Sequence, residues 1–197
     1  MESAWSAIWS FTVAGGPTPA PATPTPGPTD KLNLKSGWNL LSLPKSLASS
    51  KVGDIFKNVT TVEKVYGFSG GAWSIATFSA GSFSGTLTDL TPGAGYWVKT
   101  TADTMVNLAY KPVDPLDPPP AYDLAAGWSL IGYSTLALTP NQPVGIYLTS
   151  LAGKWTSLYN FSASAGYGLA KPGYGFANVT MFEGYWIYLT SAGTLVP

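Results

Sequence analysis

Hydrolysis by paired acids needs two carboxylates held across a cleft, one to give a proton and one to attack or take it. The acids of this chain are not placed that way. Glu2 precedes an apolar stretch, Asp30, Asp114 and Asp117 sit in linkers, and Glu63 and Glu183 stand singly at turns or strand ends. His, Cys and Arg are absent, so no Ser-His-Asp triad, thiolate or arginine clamp can be built. No glycine-rich phosphate loop precedes a helix, and no metal-ligand spacing occurs. Asp114 and Asp117 bring two carboxylates to a proline connector, short of the six or more oxygens that calcium takes. The expectation is a chain with no catalytic residues, no metal and no cofactor.

Aromatic side chains carry more of the binding chemistry, because exposed rings stack on sugars and anchor protein interfaces. Trp38, Trp97, Trp128 and Trp186 fall at equivalent places in two repeats and are expected in the core. The ligand-stacking candidates are Trp73, Trp155, Tyr167 and Tyr174, which belong to one repeat only or to glycine-rich loops. Asn58, Asn160 and Asn178 each open an N-glycosylation sequon. Thr18, Thr23, Thr25 and Thr29 lie among prolines in a mucin-like tract that suits O-glycans.

Charged residues are 10% of the 197, against a typical ~25%, and aromatics reach 14%. Net charge is zero with no basic cluster, which argues against nucleic acid as a partner. No apolar run approaches the ~20 residues of a membrane-spanning helix, so no membrane insertion is expected. The opening MESAWSAIWS lacks the basic and apolar regions of a signal peptide, so an exported form would be a processed or partial chain.

The elements that must position these residues occur twice. LNLKSGWNLLSLP is answered by YDLAAGWSLIGYS, KVGDIF by PVGIYL, KVYGF by SLYNF and GYWVKTTADTMV by GYWIYLTSAGTLV. Each repeat, about 75 residues, is small for a stable domain, so the two are expected to share an interface or lean on neighbours. The expected fold is all-β: two tandem homologous β-sandwich or barrel-like modules with one short helix each, preceded by an orphan strand and a Pro/Thr linker. The boundaries read 1–14 for the strand, 15–30 for the linker, 31–111 for the first module, 112–120 for a Pro-rich connector and 121–197 for the second module.

Each module opens on an expected hairpin, Leu32 and Leu34 turning through Lys35-Ser36-Gly37 to Trp38 and Leu40, where the glycine supplies a left-handed residue. The first helix is expected over Ser50 to Val59 with Ser50 as its cap, and its counterpart follows Pro143. In the N-terminal strand Trp5, Ala7, Trp9, Phe11 and Val13 share one face. The linker that follows favours polyproline II geometry.

The motifs GWNLLSLP, VGDIF and GYWVK resemble a module of secreted and surface-layer-associated archaeal and bacterial proteins, bracketed by a GWN-L-I-S-P opening and a GYWI close. The second repeat departs from it in GWSLIGY. The resemblance implies an all-β accessory unit at the cell surface or outside the cell. AWSAIWSFTVAG is similar to the last strand of bacterial fibronectin type III-like domains, which implies either the remnant of an upstream sandwich domain or a strand that completes the sheet of another subunit. An unpaired apolar strand on a spacer can complete another subunit's sheet, so the expected function is a non-enzymatic extracellular structural module of a surface or filamentous assembly, with homo-oligomers or polymers as its form. The alternative is a carbohydrate-binding accessory module with glycans as partners.

Overall fold

A computed structural model describes residues 29–112, 118–135 and 139–197. The first repeat runs β1 (Thr29–Leu34), β2 (Gly37–Ser42), α1 (Val52–Ile55), β3 (Val62–Ser69), β4 (Ala72–Ser79), β5 (Ser82–Gly85), β6 (Gly95–Thr100) and β7 (Thr104–Ala109). The second runs β8 (Tyr122–Leu124), β9 (Gly127–Gly132), β10 (Asn141–Pro143), α2 (Val144–Tyr147), a 3-10 turn (Thr149–Leu151), β11 (Trp155–Ser162), β12 (Gly166–Lys171), β13 (Tyr174–Gly175), β14 (Asn178–Thr180), β15 (Gly184–Leu189) and β16 (Gly193–Leu195). The fold is all-β, its sheets are antiparallel, and among the described residues none closes into a barrel.

The repeat in sequence is a repeat in topology. A five-stranded sheet in the order β2-β6-β3-β4-β5 is matched by β9-β15-β11-β12-β13, and a two-stranded layer β1-β7 by β8-β16. The first core fills the space between the two layers: Leu32 and Leu34 of β1 and Val106 and Leu108 of β7 meet Leu41, Val65, Tyr96 and Val98 of the large sheet. The second core gathers Ile131, Tyr147, Leu158, Tyr185, Ile187 and Leu195 in the same way.

The expected opening hairpin does not form. Gly37 and Gly127 do take the left-handed conformation, with φ of +96° and +97°. Yet β1 pairs with β7, and β2 pairs with β6. Period-two alternation says which face of a strand is buried, not which strand lies beside it. Here the chain turns a corner between layers, so that Leu34 and Leu41 bury against one core from opposite sides.

Side chains clasp that corner in the first repeat. Asn39 Oδ1 accepts the Lys35 N–H at 2.9 Å, and Asn39 Nδ2 donates to the Lys35 carbonyl at 2.8 Å. Asp103, in the turn between β6 and β7, accepts from the Ser36 N–H at 2.8 Å and pairs with Lys35 Nζ at 2.7 Å. These donors hold the Asp103 carboxyl below the usual carboxylate range.

The first helix is four residues long, and Ser50 does not cap it. Ser50 Oγ instead donates to Asp89 Oδ1 at 2.6 Å, beside Lys51 Nζ on Oδ2 at 2.8 Å. One helical turn costs more to nucleate than its own hydrogen bonds return, so neighbours must hold it. They do so through Val52 N–H to Thr88 O at 3.0 Å and the burial of Val52 and Phe56.

The two repeats pack against each other reciprocally. Ser42 N–H donates to Phe182 O at 3.0 Å, and the equivalent Gly132 N–H donates to Gly93 O at 2.9 Å. Leu41 bridges to Glu183 as Ile131 bridges to Ala94. Gly95 and Gly184 admit this approach: a Cβ on either would lie 2.7 or 2.6 Å from a carbonyl oxygen of the other repeat. Leu40 and Leu130, on the sheet faces turned away from the cores, are buried. Burial of one such leucine stabilises by about 1.5–3 kcal/mol.

Candidate binding trough

Alternation along the large sheets decides where the aromatics go. In β6, Tyr96, Val98 and Thr100 are buried, so Trp97 lies on the opposite face. The cross-strand register carries that face to Tyr66 opposite Trp97, and to Phe68 opposite Trp73. The second repeat does the same with Trp186, Tyr159, Phe161 and Tyr167. The outer faces of the two sheets therefore meet as two aromatic surfaces.

They interlock by exchange. Trp97 meets Phe161 at 4.9 Å and Tyr167 at 6.3 Å, while Trp186 meets Phe68 at 5.2 Å and Trp73 at 5.7 Å. The interplanar angles, 58° to 73°, are the edge-to-face and tilted arrangements that the ring quadrupole favours.

Two clefts open along this seam. One, of about 470 Å³, is lined by Trp38, Tyr66, Trp73, Trp97, Phe161 and Tyr167. The other, of about 580 Å³, is lined by the equivalent six, Trp128, Tyr159, Tyr167, Trp186, Phe68 and Trp73. Trp73 and Tyr167 belong to both, so the clefts join into one trough across the axis relating the repeats. No lining residue carries a charge, and the polar atoms its side chains offer are indole N–H and phenol O–H groups. Such a wall excludes water and stacks flat or ring-shaped groups.

The sequence candidates fall on both sides of this line. Trp73, 54% exposed, and Tyr167, 62% exposed, are brought together at the middle of the trough. Tyr174 is exposed on β13, beside a separate cleft with Lys171 and Phe176. Trp155 is displaced from the stacking set: it is buried in the second core, where it opens β11 opposite Leu189 and fills the place Val62 takes in the first. The four shared tryptophans are corrected the other way. Trp38 is 39% and Trp128 44% exposed, and with the half-buried Trp97 and Trp186 they form the trough and not the cores.

Asn58 and Asn178 are exposed, whereas Asn160 is half-buried with its Oδ1 accepting the Gly168 N–H at 3.0 Å. Thr29 begins β1 opposite Ala109, which places the first strand two residues inside the expected linker. Trp5, Ala7, Trp9, Phe11, Val13, Thr18, Thr23, Thr25, Asp114 and Asp117 lie outside the described residues.

The described acids do not converge on a reaction centre. Glu63 pairs with Lys99 at 3.2 Å, and Glu183 accepts the Tyr185 hydroxyl at 2.8 Å. Burial pushes the Tyr185 phenol well above its ordinary value, aided by the Glu183 charge. Among the described residues no three His, Cys, Asp or Glu gather as a metal site, and no helix is long and apolar enough to cross a membrane. A scan against protein-family models gave no match, and searches of curated proteins and of solved structures gave none either.

Proposed function

We propose that this chain is a non-enzymatic structural module of an extracellular surface or filamentous assembly, joined to its neighbours by its N-terminal strand and its exposed aromatic face. The observation that carries the reading is the trough: ten aromatic residues on two interlocked sheets, uncharged and open to solvent. A solvated protein surface of this kind is costly to leave bare and marks an interaction site. The two-stranded β1-β7 layer supports the same reading, because among the described residues β1 has a strand on one side only and offers backbone groups to a donated strand.

Sedimentation of the whole chain across a concentration series tests this. Species larger than a monomer are expected, and they should be lost on deleting residues 1–16. Unchanged assembly of the shortened chain removes strand donation from the function.

A second reading, a carbohydrate-binding accessory module, is favoured by the exposure of Trp73 and Tyr167 at the centre of the trough. Isothermal titration with oligosaccharides decides it: heat of binding that Trp73→Ala abolishes supports a glycan ligand.

A further inference from the structure

We infer that the trough is a seat for a proline-rich segment in polyproline II conformation, and that the segment it takes is residues 17–28 of another chain of this protein. The inference rests on the association reading above and names what the aromatic face holds.

Three observations converge. The first is the chemistry of the wall. Rows of Trp, Tyr and Phe with isolated N–H and O–H donors are what a polyproline II helix binds: its pyrrolidine rings lie on aromatic faces, and its solvated carbonyls accept from indole and phenol groups. A sugar chain presents hydroxyls on every ring, and this wall gives them few partners.

The second is composition. PTPAPATPTPGP, residues 17–28, has six prolines and no charge, matching a trough whose lining has no charge. Proline fixes φ near the bound value, so such a segment loses less conformational freedom on docking than an ordinary strand.

The third is length. Trp38, Tyr66, Trp73, Trp186 and Trp128 follow one another at 5.7, 6.1, 5.7 and 6.3 Å between ring centres. The trough is thus no longer than about 24 Å, which roughly eight residues of polyproline II span at about 3.1 Å each. Twelve residues cover it with some to spare. Within one chain the segment enters β1, which lies behind the first core on the far side of the large sheet from the trough. A neighbouring chain whose strand is donated to a different subunit meets no such obstacle.

The probe is a synthetic peptide of residues 17–28, and the receptor is the whole chain with Pro17, Pro19, Pro21, Pro24, Pro26 and Pro28 each replaced by Ser, so that its own segment does not compete. Tryptophan fluorescence should change saturably with the peptide. It should not change with the Pro→Ser peptide, and the combined Trp73→Ala and Tyr167→Ala receptor should bind at least about tenfold more weakly. Both positions are exposed, and a retained cooperative urea transition confirms that the variant is folded.

In sedimentation the natural chain should associate, the Pro→Ser chain should associate more weakly, and added peptide should weaken association of the natural chain to the same extent. Absence of peptide binding overturns the inference whether or not the chain assembles, as does binding of cellohexaose in place of the peptide. Assembly of the Pro→Ser chain as strong as that of the natural chain overturns the neighbouring chain as the source. A natural chain that stays monomeric while the peptide binds overturns the association reading and that source together.

Discussion

Gly93 and Phe182 occupy equivalent places in the two repeats, share a left-handed backbone, with φ of +78° and +70°, and each offers its carbonyl to the other repeat. At Gly93 the ring of Tyr122 fills the space where a side chain would be. At Phe182 the benzyl ring packs against the first repeat's core. The same left-handed turn is open for a neighbour's ring in one repeat and supplies a ring in the other.

Gly93→Ala should therefore be among the more damaging small substitutions. The left-handed conformation alone costs a residue with a Cβ about 1–2 kcal/mol. Displacing Tyr122, whose hydroxyl hydrogen-bonds Ser134 at 2.9 Å, adds to that. A loss of about 2–4 kcal/mol in urea unfolding is expected; a loss near zero would show that Tyr122 does not sit where described.

Trp155→Ala and Trp73→Ala should separate cleanly by the same measurement. Emptying the Trp155 site leaves a cavity in the second core, at about 3–5 kcal/mol. Trp73, more than half exposed, should cost under about 1.5 kcal/mol while removing a wall of both clefts. Equal losses would contradict the split between core and trough.

Gly95→Ala or Gly184→Ala should part the repeats without emptying either core, because the added methyl meets a carbonyl oxygen of the facing repeat. The near-ultraviolet circular dichroism from the stacked indoles should fall while the far-ultraviolet signal persists. Retention of both signals would mean that the repeats do not approach through these glycines.

Acid and alkali should each weaken the fold for a separate reason. Asp89, hydrogen-bonded by Lys51, Ser50 and Thr88, and Asp103, hydrogen-bonded by Lys35 and the Ser36 N–H, keep their protons off to lower pH than in the unfolded chain. Their contribution is present above the ordinary carboxylate value of 3.8 and fades as pH falls below it through their folded values. Both are solvent-accessible pairs, so the effect is modest, and Asp89→Asn should flatten the acid limb of a stability–pH curve.

Tyr110, Tyr147 and Tyr185 shift upward, burial being the main cause. Above the ordinary phenol value of 10 the unfolded chain gives up these protons while the folded one keeps them, so stability falls as pH rises from there. Tyr147→Phe should soften that alkaline loss, read by urea midpoints between pH 9 and 11.

The duplication, the β class and the turn glycines at 37 and 127 were legible from the residues, because each is a local matter of spacing or of φ. Partners were not. The segment from Leu32 to Leu40 alternates as a hairpin does, and alternation cannot distinguish a hairpin from a corner between layers. The shared tryptophans misled for another reason: identity between repeats is what a core predicts, and also what a contact between the repeats predicts. Trp155 shows the converse. It has no tryptophan counterpart, yet its aligned residue is the buried Val62, and that alignment carried the signal for the core.

The reciprocal contacts between the repeats have the form of a two-fold dimer, in which one patch is complementary to itself. Here the partners sit on one polypeptide, joined by the residues around Pro118 to Pro120. Joining the halves in one chain makes their association intramolecular, so a contact too weak to persist between free subunits persists within the chain. The aromatic trough is then available at any dilution, because dimerisation has become an internal step of folding.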